Sequence, residues 1–129
     1  MPLKLSLPRG EKLVVNGAVI KNDGPDVNLV FENQAHIMRQ KDIMTLDEAS
    51  SPARCIYLAL QCAYMFSDRR DEHMQEFESL LSEFCEAAPS SDPIAEKIKQ
   101  LAQDGDLYAA LKACRDLIEY EGEILQHVK

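Results

Sequence analysis

The run Leu3-Lys4-Leu5-Ser6-Leu7-Pro8-Arg9-Gly10-Glu11-Lys12-Leu13-Val14-Val15-Asn16-Gly17-Ala18-Val19-Ile20 decides how this chain begins to fold. Leu3, Leu5 and Leu7 alternate with Lys4 and Ser6, so an extended backbone sets three leucines on one face and polar residues on the other. Pro8 has no amide for a ladder and Gly10 tolerates positive φ, so the first strand ends there and the chain turns. A second strand starts at Lys12 and meets Asn16-Gly17. That pair most readily supplies the two positive-φ positions of a type I′ hairpin turn.

The pattern continues outward from the hairpin. Ala18 to Lys21 reads as a third strand, ended by the turn formers Asn22-Asp23-Gly24-Pro25-Asp26. Val27 to Glu32 makes a fourth, with Val27, Leu29 and Phe31 on one face. Ala35 to Arg39 makes a fifth, with Ala35, Ile37 and Arg39 on one side and His36 and Met38 on the other. Five short strands in about forty residues predict an antiparallel meander or small barrel. Such a unit has little core for its surface and should lean on the rest of the chain or on a second copy of itself.

Helical signals replace the strands after residue 44. Gln40 to Ser51 is a connector whose Ile43, Met44 and Leu46 are expected to form one helical turn under the sheet. Ser51-Pro52 is an N-cap followed by proline at the first helical position, and the helix it starts runs to about Phe66, apolar nearly all round and therefore central. Ser67-Asp68 breaks it. Met74, Phe77, Leu80, Leu81 and Phe84 form the inner stripe of a second helix. After a loop at Pro89–Pro93, Ile94, Ile98 and Leu101 point a third helix inward until Gly105 closes it. Asp106 caps a fourth, with Leu107, Ala110, Leu111, Cys114, Leu117, Ile118 and Leu125 near a 3.6 period; Gly122 predicts fraying after Tyr120. The fold class is α+β, a five-stranded antiparallel unit over residues 2–40 followed by a bundle of about four helices. The expected organisation is a sheet region, 1–44, and an acidic helical region, 45–129, packed on it.

Charge divides along the same line. The 129 residues carry a net −8, yet residues 1–44 hold six cations against five anions, and the remainder holds eight against seventeen. Any polyanion therefore meets the sheet at +1 and not the helices at −9. The plain alternative is that the acidic excess is a solvated helical face. No apolar run approaches the length of a membrane span and no leader pattern opens the chain, so no membrane association is expected, and the cytoplasm is.

The residues of chemistry do not assemble into a constellation. Cys55, Cys62, Cys85 and Cys114 fit no zinc or redox spacing and fall among apolar helical residues, as buried, reduced thiols do. His73 and Glu76 have metal-ligand spacing, but Glu72 beside them marks an acidic exposed face. His36 and His127 lie on other elements. With no phosphate loop and no nucleophile elbow, no catalytic residue, metal site or cofactor is expected, and the chain is not read as an enzyme.

Binding candidates lie on the sheet. Arg39, Lys41, Arg9, Lys12 and Lys4 offer phosphate contacts, and His36 or Phe31 a stacking surface. Against this, Phe31 suits a core position, and +1 over 44 residues is no basic patch. Arg39 stands apart from the lysines because it ends a strand whose other residues on its side read as buried.

Several ordered blocks carry a family resemblance. Met1-Pro2-Leu3-Lys4-Leu5-Ser6-Leu7, Pro8-Arg9-Gly10-Glu11-Lys12, Val15-Asn16-Gly17-Ala18-Val19, Arg39-Gln40-Lys41-Asp42-Ile43-Met44 and Ser51-Pro52-Ala53-Arg54-Cys55-Ile56-Tyr57 look like the FlbT family of flagellum biosynthesis repressors. The resemblance implies a cytoplasmic post-transcriptional regulator that acts on the 5′ untranslated region of flagellin messenger RNA, lowering its translation or lifetime. The sheet alone also resembles, more loosely, the carbon storage regulator family, whose small sheets intertwine as dimers and bind RNA along edge strands. That likeness implies a homodimer, with Arg39 as the RNA-contacting arginine and Leu5 as a first-strand contact. The chain departs from that family where paired arginines precede Gly-Glu: here Leu7 and Pro8 stand, and Arg9 comes one place later. A competing reading makes the acidic helices the working surface, a protein-interaction module or chaperone-like adaptor that binds flagellin or another flagellar regulator, with any effect on RNA indirect.

Overall fold

The computed structural model describes residues 3–127, with side chains through Leu125. Met1 and Pro2, which open the stretch resembling the FlbT family and the expected β region, lie outside the described residues. The chain divides into two compact units. One comprises residues 1–43 with 65–67, and the other 44–64 with 68–129.

The first unit holds five antiparallel strands: β1 (Leu3–Leu7), β2 (Lys12–Val15), β3 (Ala18–Lys21), β4 (Val27–Phe31) and β5 (Ile37–Arg39). They do not form a meander. β1 pairs with β4 in one sheet, and β2 stands between β3 and β5 in another. The reason lies in the two turns expected to close hairpins. Gly10 donates its amide to the carbonyl of Asn22 at 2.7 Å, and Arg9 donates its own to Asp26 Oδ1 at 2.7 Å. Asn22 Nδ2 in turn donates to the carbonyls of Leu7 and Pro25. These bonds bind turn 8–10 to turn 22–26 and send the chain from one sheet to the other.

The β2–β3 hairpin forms as its residues dictate, with Asn16 at φ 50° and Gly17 at φ 86° and Val15 opposite Ala18. Leu5, Leu7 and Leu13 are the buried core, and Val15, Leu29, Phe31 and Ile37 pack against it. Alternation works on β1 for Leu5 and Leu7, with Lys4 and Ser6 exposed, whereas Leu3 at the strand's start is 48% exposed and stays outside the core. Both Leu13 and Val14 are buried, so β2 is covered on both faces as a central strand is. β5 is shorter than expected because Asn16 intercepts its start, accepting the His36 amide on Oδ1 and donating its own amide to the His36 carbonyl, both at 2.8 Å. On β5 the buried residue is Met38, not the side that Ile37 shares with Arg39.

The second unit is four helices: α1 (Pro52–Met65), α2 (Arg70–Ala87), α3 (Asp92–Gln103) and α4 (Leu107–His127). α1 is central, burying Ala53, Ile56, Tyr57, Ala59, Leu60, Gln61, Ala63 and Tyr64. Its one buried polar side chain, Gln61, is satisfied by clasping the backbone of Met44 at both ends of its amide. The connector contains a 3-10 turn at Gln40–Asp42, but Leu46 is 82% exposed and does not pack as expected. α3 buries Ala95, Ile98 and Ala102 while Ile94 and Leu101, expected to point inward, are only half-buried. Gly105, at φ +85°, ends it. Asp106 donates its amide to Leu101 and Gly105 its amide to Ala102, the paired bonds of a Schellman stop. Asp106 Oδ1 then accepts the amide of Ala109 and caps α4. α4 continues through Gly122 to His127 where fraying was expected after Tyr120.

Candidate nucleic-acid interface

Antiparallel pairing gathers residues that the chain keeps apart. Lys12 opens β2, Lys21 closes β3 and Arg39 closes β5, so the three lie at one end of the three-stranded sheet. Lys12 stands directly opposite Lys21, and Arg39 directly opposite Leu13. The Lys12 amide donates to Gln40 Oε1 at 2.7 Å, which holds the turn carrying Lys41 beside the same end. Arg9 joins them through the bond between Gly10 and Asn22 described above. All five side chains are exposed.

Like charges directly opposite on a sheet repel, and a bound anion relieves that repulsion. The cluster is not purely basic. Glu11, Asp23, Asp26 and Asp42 are near in the chain, although Asp26 is engaged by the Arg9 amide. The net excess is small, so the end can hold a short stretch of backbone phosphates and not wrap a long one.

Two of the sequence candidates fall elsewhere. Lys4 is exposed but sits on β1 opposite Val30, on the outer face of the other sheet. Leu5 is 5% exposed within the core, so its side chain is not placed to touch RNA as the resemblance implied. Phe31 packs half-buried against that core, and His36 is half-buried where Asn16 holds its backbone. Lys21 was not among the sequence candidates. The signal was present: a two-residue Asn16-Gly17 turn sets Val15 against Ala18, and counting back three pairs puts Lys12 against Lys21.

Of the four cysteines only Cys114 is buried, whereas Cys55, Cys62 and Cys85 are half-buried. Burial pushes the Cys62 and Cys85 thiols up, with Glu76 adding to the first, and it raises buried Cys114 to about 12. Among the described residues no group of three or more His, Cys, Asp or Glu could hold a metal ion, and no helix is long and apolar enough to cross a membrane.

A model of the family described as Flagellar protein FlbT matches residues 3–125. The chain belongs to the FlbT family. Among its FlbT relatives, the probable flagellum biosynthesis repressor protein FlbT of Caulobacter sp. (strain K31) is 42% identical, covering 99% of both chains. The flagellum biosynthesis repressor protein FlbT of Caulobacter vibrioides (strain ATCC 19089 / CIP 103742 / CB 15) is 41% identical over 99% of this chain and 92% of its own. A probable repressor of the same family from Bradyrhizobium diazoefficiens is 38% identical over 96% of this chain and 85% of its own. No solved structure matches the chain.

Proposed function

We propose that this FlbT-family chain represses flagellum biosynthesis after transcription, in the cytoplasm, by binding the 5′ untranslated leader of flagellin messenger RNA. The observation that supports this best is the gathering of Arg9, Lys12, Lys21, Arg39 and Lys41 at one end of a sheet, in a protein whose net charge is −8. Five of the exposed cations of this acidic protein stand at that end, and they favour a polyanion there over the acidic helices. Phosphate contacts of this kind set position and affinity, and any base reading comes from groups beside them. The test is a gel-shift titration of a flagellin leader RNA at two salt concentrations, with native protein, Arg39→Ala and Lys12→Ala. Each substitution should weaken binding by roughly three- to tenfold and more so at low salt. Absence of a shift at micromolar protein, or equal binding by all three, overturns the reading.

A second reading is supported by a different feature. Between α2 and α3 lies a groove of about 740 Å³, floored by Leu81 and Ala95, with Glu78, Asp92 and Glu96 outnumbering Lys99 on its lining. An acidic excess over an apolar floor suits a basic, partly apolar segment of flagellin or of another flagellar regulator. Pull-down of flagellin by native protein and by a Glu78→Lys, Glu96→Lys double variant separates the readings. Only the groove reading predicts loss of capture.

A further inference from the structure

We infer that β3 is a self-association edge, and that two copies of this chain join their three-stranded sheets through antiparallel pairing of β3 with β3 of the second copy. β3 ends the order β3-β2-β5, so among the described residues one of its edges has no strand beside it. All four of its residues are exposed. Val19 stands at 64% and Ile20 at 42%. Protected edges carry central charges, prolines or bulges, whereas this one has Ala18, Val19 and Ile20 in a row with its single lysine at the end. Leu3, Val27 and Val30 in the same small unit are exposed as well.

The occupant follows from hydrogen-bond geometry and charge. The Asn22 amide donates to the Glu11 carbonyl at 3.1 Å, so Asn22 faces β2. By the alternation of an antiparallel ladder, Ile20 and Ala18 also face β2, and the amides and carbonyls of Val19 and Lys21 point out at the open edge. Two identical antiparallel strands with those outward groups can pair about a two-fold axis centred on Val19, Ile20 or Lys21. The Lys21 centre sets lysine against lysine and is excluded by repulsion. The Ile20 centre lets Val19 and Lys21 of one copy exchange both hydrogen bonds with Lys21 and Val19 of the other, and sets isoleucine against isoleucine across the axis. It uses every outward group of the strand, which the Val19 centre does not. This register joins the sheets into one of six strands and leaves the two cationic ends on opposite sides of the axis. It stands independently of what those ends bind.

The experiment is sedimentation equilibrium of the full chain from about 10 to about 200 µM, a span that reads affinities in the micromolar range. Native protein should approach twice the 14.5 kDa chain mass. Ile20→Lys sets like charges on the axis, and Val19→Lys sets one against each Lys21 of the second copy. Each should raise the dimer Kd by roughly tenfold or more. Adding Lys21→Glu to Val19→Lys makes those pairs opposite in sign and should restore association, while Ile20→Lys with Lys21→Glu should not recover fully. Circular dichroism checks that each variant keeps its strands. Native protein that stays at monomer mass across the range overturns the inference, whatever the variants do, and so does a dimer indifferent to both single lysine substitutions.

Discussion

Gly17 shows how much one position can carry. Its φ of +86° is one that L side chains rarely adopt, and a β-carbon there would stand 2.8 Å from the carbonyl oxygen of Met65, with Phe66 just beyond. The hairpin needs the conformation, and the segment 65–67, which belongs to the same unit, needs the space. Gly17→Ala should therefore cost about 1–3 kcal/mol, more than the strain of the turn alone, because backbone and not a pliable side chain must move. Urea unfolding followed by circular dichroism measures it; a change within about 0.5 kcal/mol, the usual size at an unconstrained surface position, would show that the turn and the 65–67 segment yield freely. Sequence reading identified the glycine from its turn chemistry. The carbonyl it accommodates comes from 48 residues away, and no local pattern announces it.

At the scale of elements, the start of α1 depends on the far end of α4. Pro52 brings no amide to the first turn, and Ser51 Oγ accepts that of Arg54 at a long 3.4 Å. The amide of Ala53 is satisfied by Glu121 Oε2 at 2.8 Å, from a carboxylate 7% exposed. A negative group at a helix N-terminus also meets the positive end of the macrodipole. This contact anchors α4 at the residue before Gly122, where the intrinsic cost of glycine is about 1 kcal/mol. Glu121→Ala should lower stability by about 1–3 kcal/mol by orphaning a buried amide, with Glu121→Gln, which keeps an acceptor, costing less. Equal unfolding midpoints for native protein and Glu121→Ala would show that the contact does not stabilise the fold. The cap-plus-proline motif that starts α1 was plain in the sequence. The second cap was not, because Glu121 reads there as one more acidic residue near a chain end.

Across the whole molecule, charge and register work against each other. Seventeen of the twenty-two carboxylates lie beyond residue 44, and they repel a polyanion from most of the surface. An RNA bound as proposed at the sheet end would meet five cations there. For a single-stranded RNA this limits the slope of log affinity against log salt to about −3.5. Binding titrations at four or more salt concentrations measure the slope, and a clearly steeper one would mean that cations outside this end take part. Much of this was readable beforehand: the charge division, the strands and helices, and four of the five cations. The fifth, Lys21, needed the pairing to be counted through.

The sequence by itself determined the local order: where strands alternate, where Asn16-Gly17 turns, where Pro52 and Asp106 start helices, and which end of the chain is acidic. These depend on backbone preferences and side-chain period over a few residues, so a short window contains all of their causes. Tertiary structure alone decided that β1 pairs with β4, that Leu5 goes inside, that Glu121 serves a helix 68 residues away, and that scattered cations meet at one end of a sheet. Each of those is a choice among distant partners. The strand pairing comes with burial of Leu5, Leu7 and Leu13 together and with partners for the turn amides of Arg9, Gly10 and Gly24. The helix contact comes with a partner for the Ala53 amide.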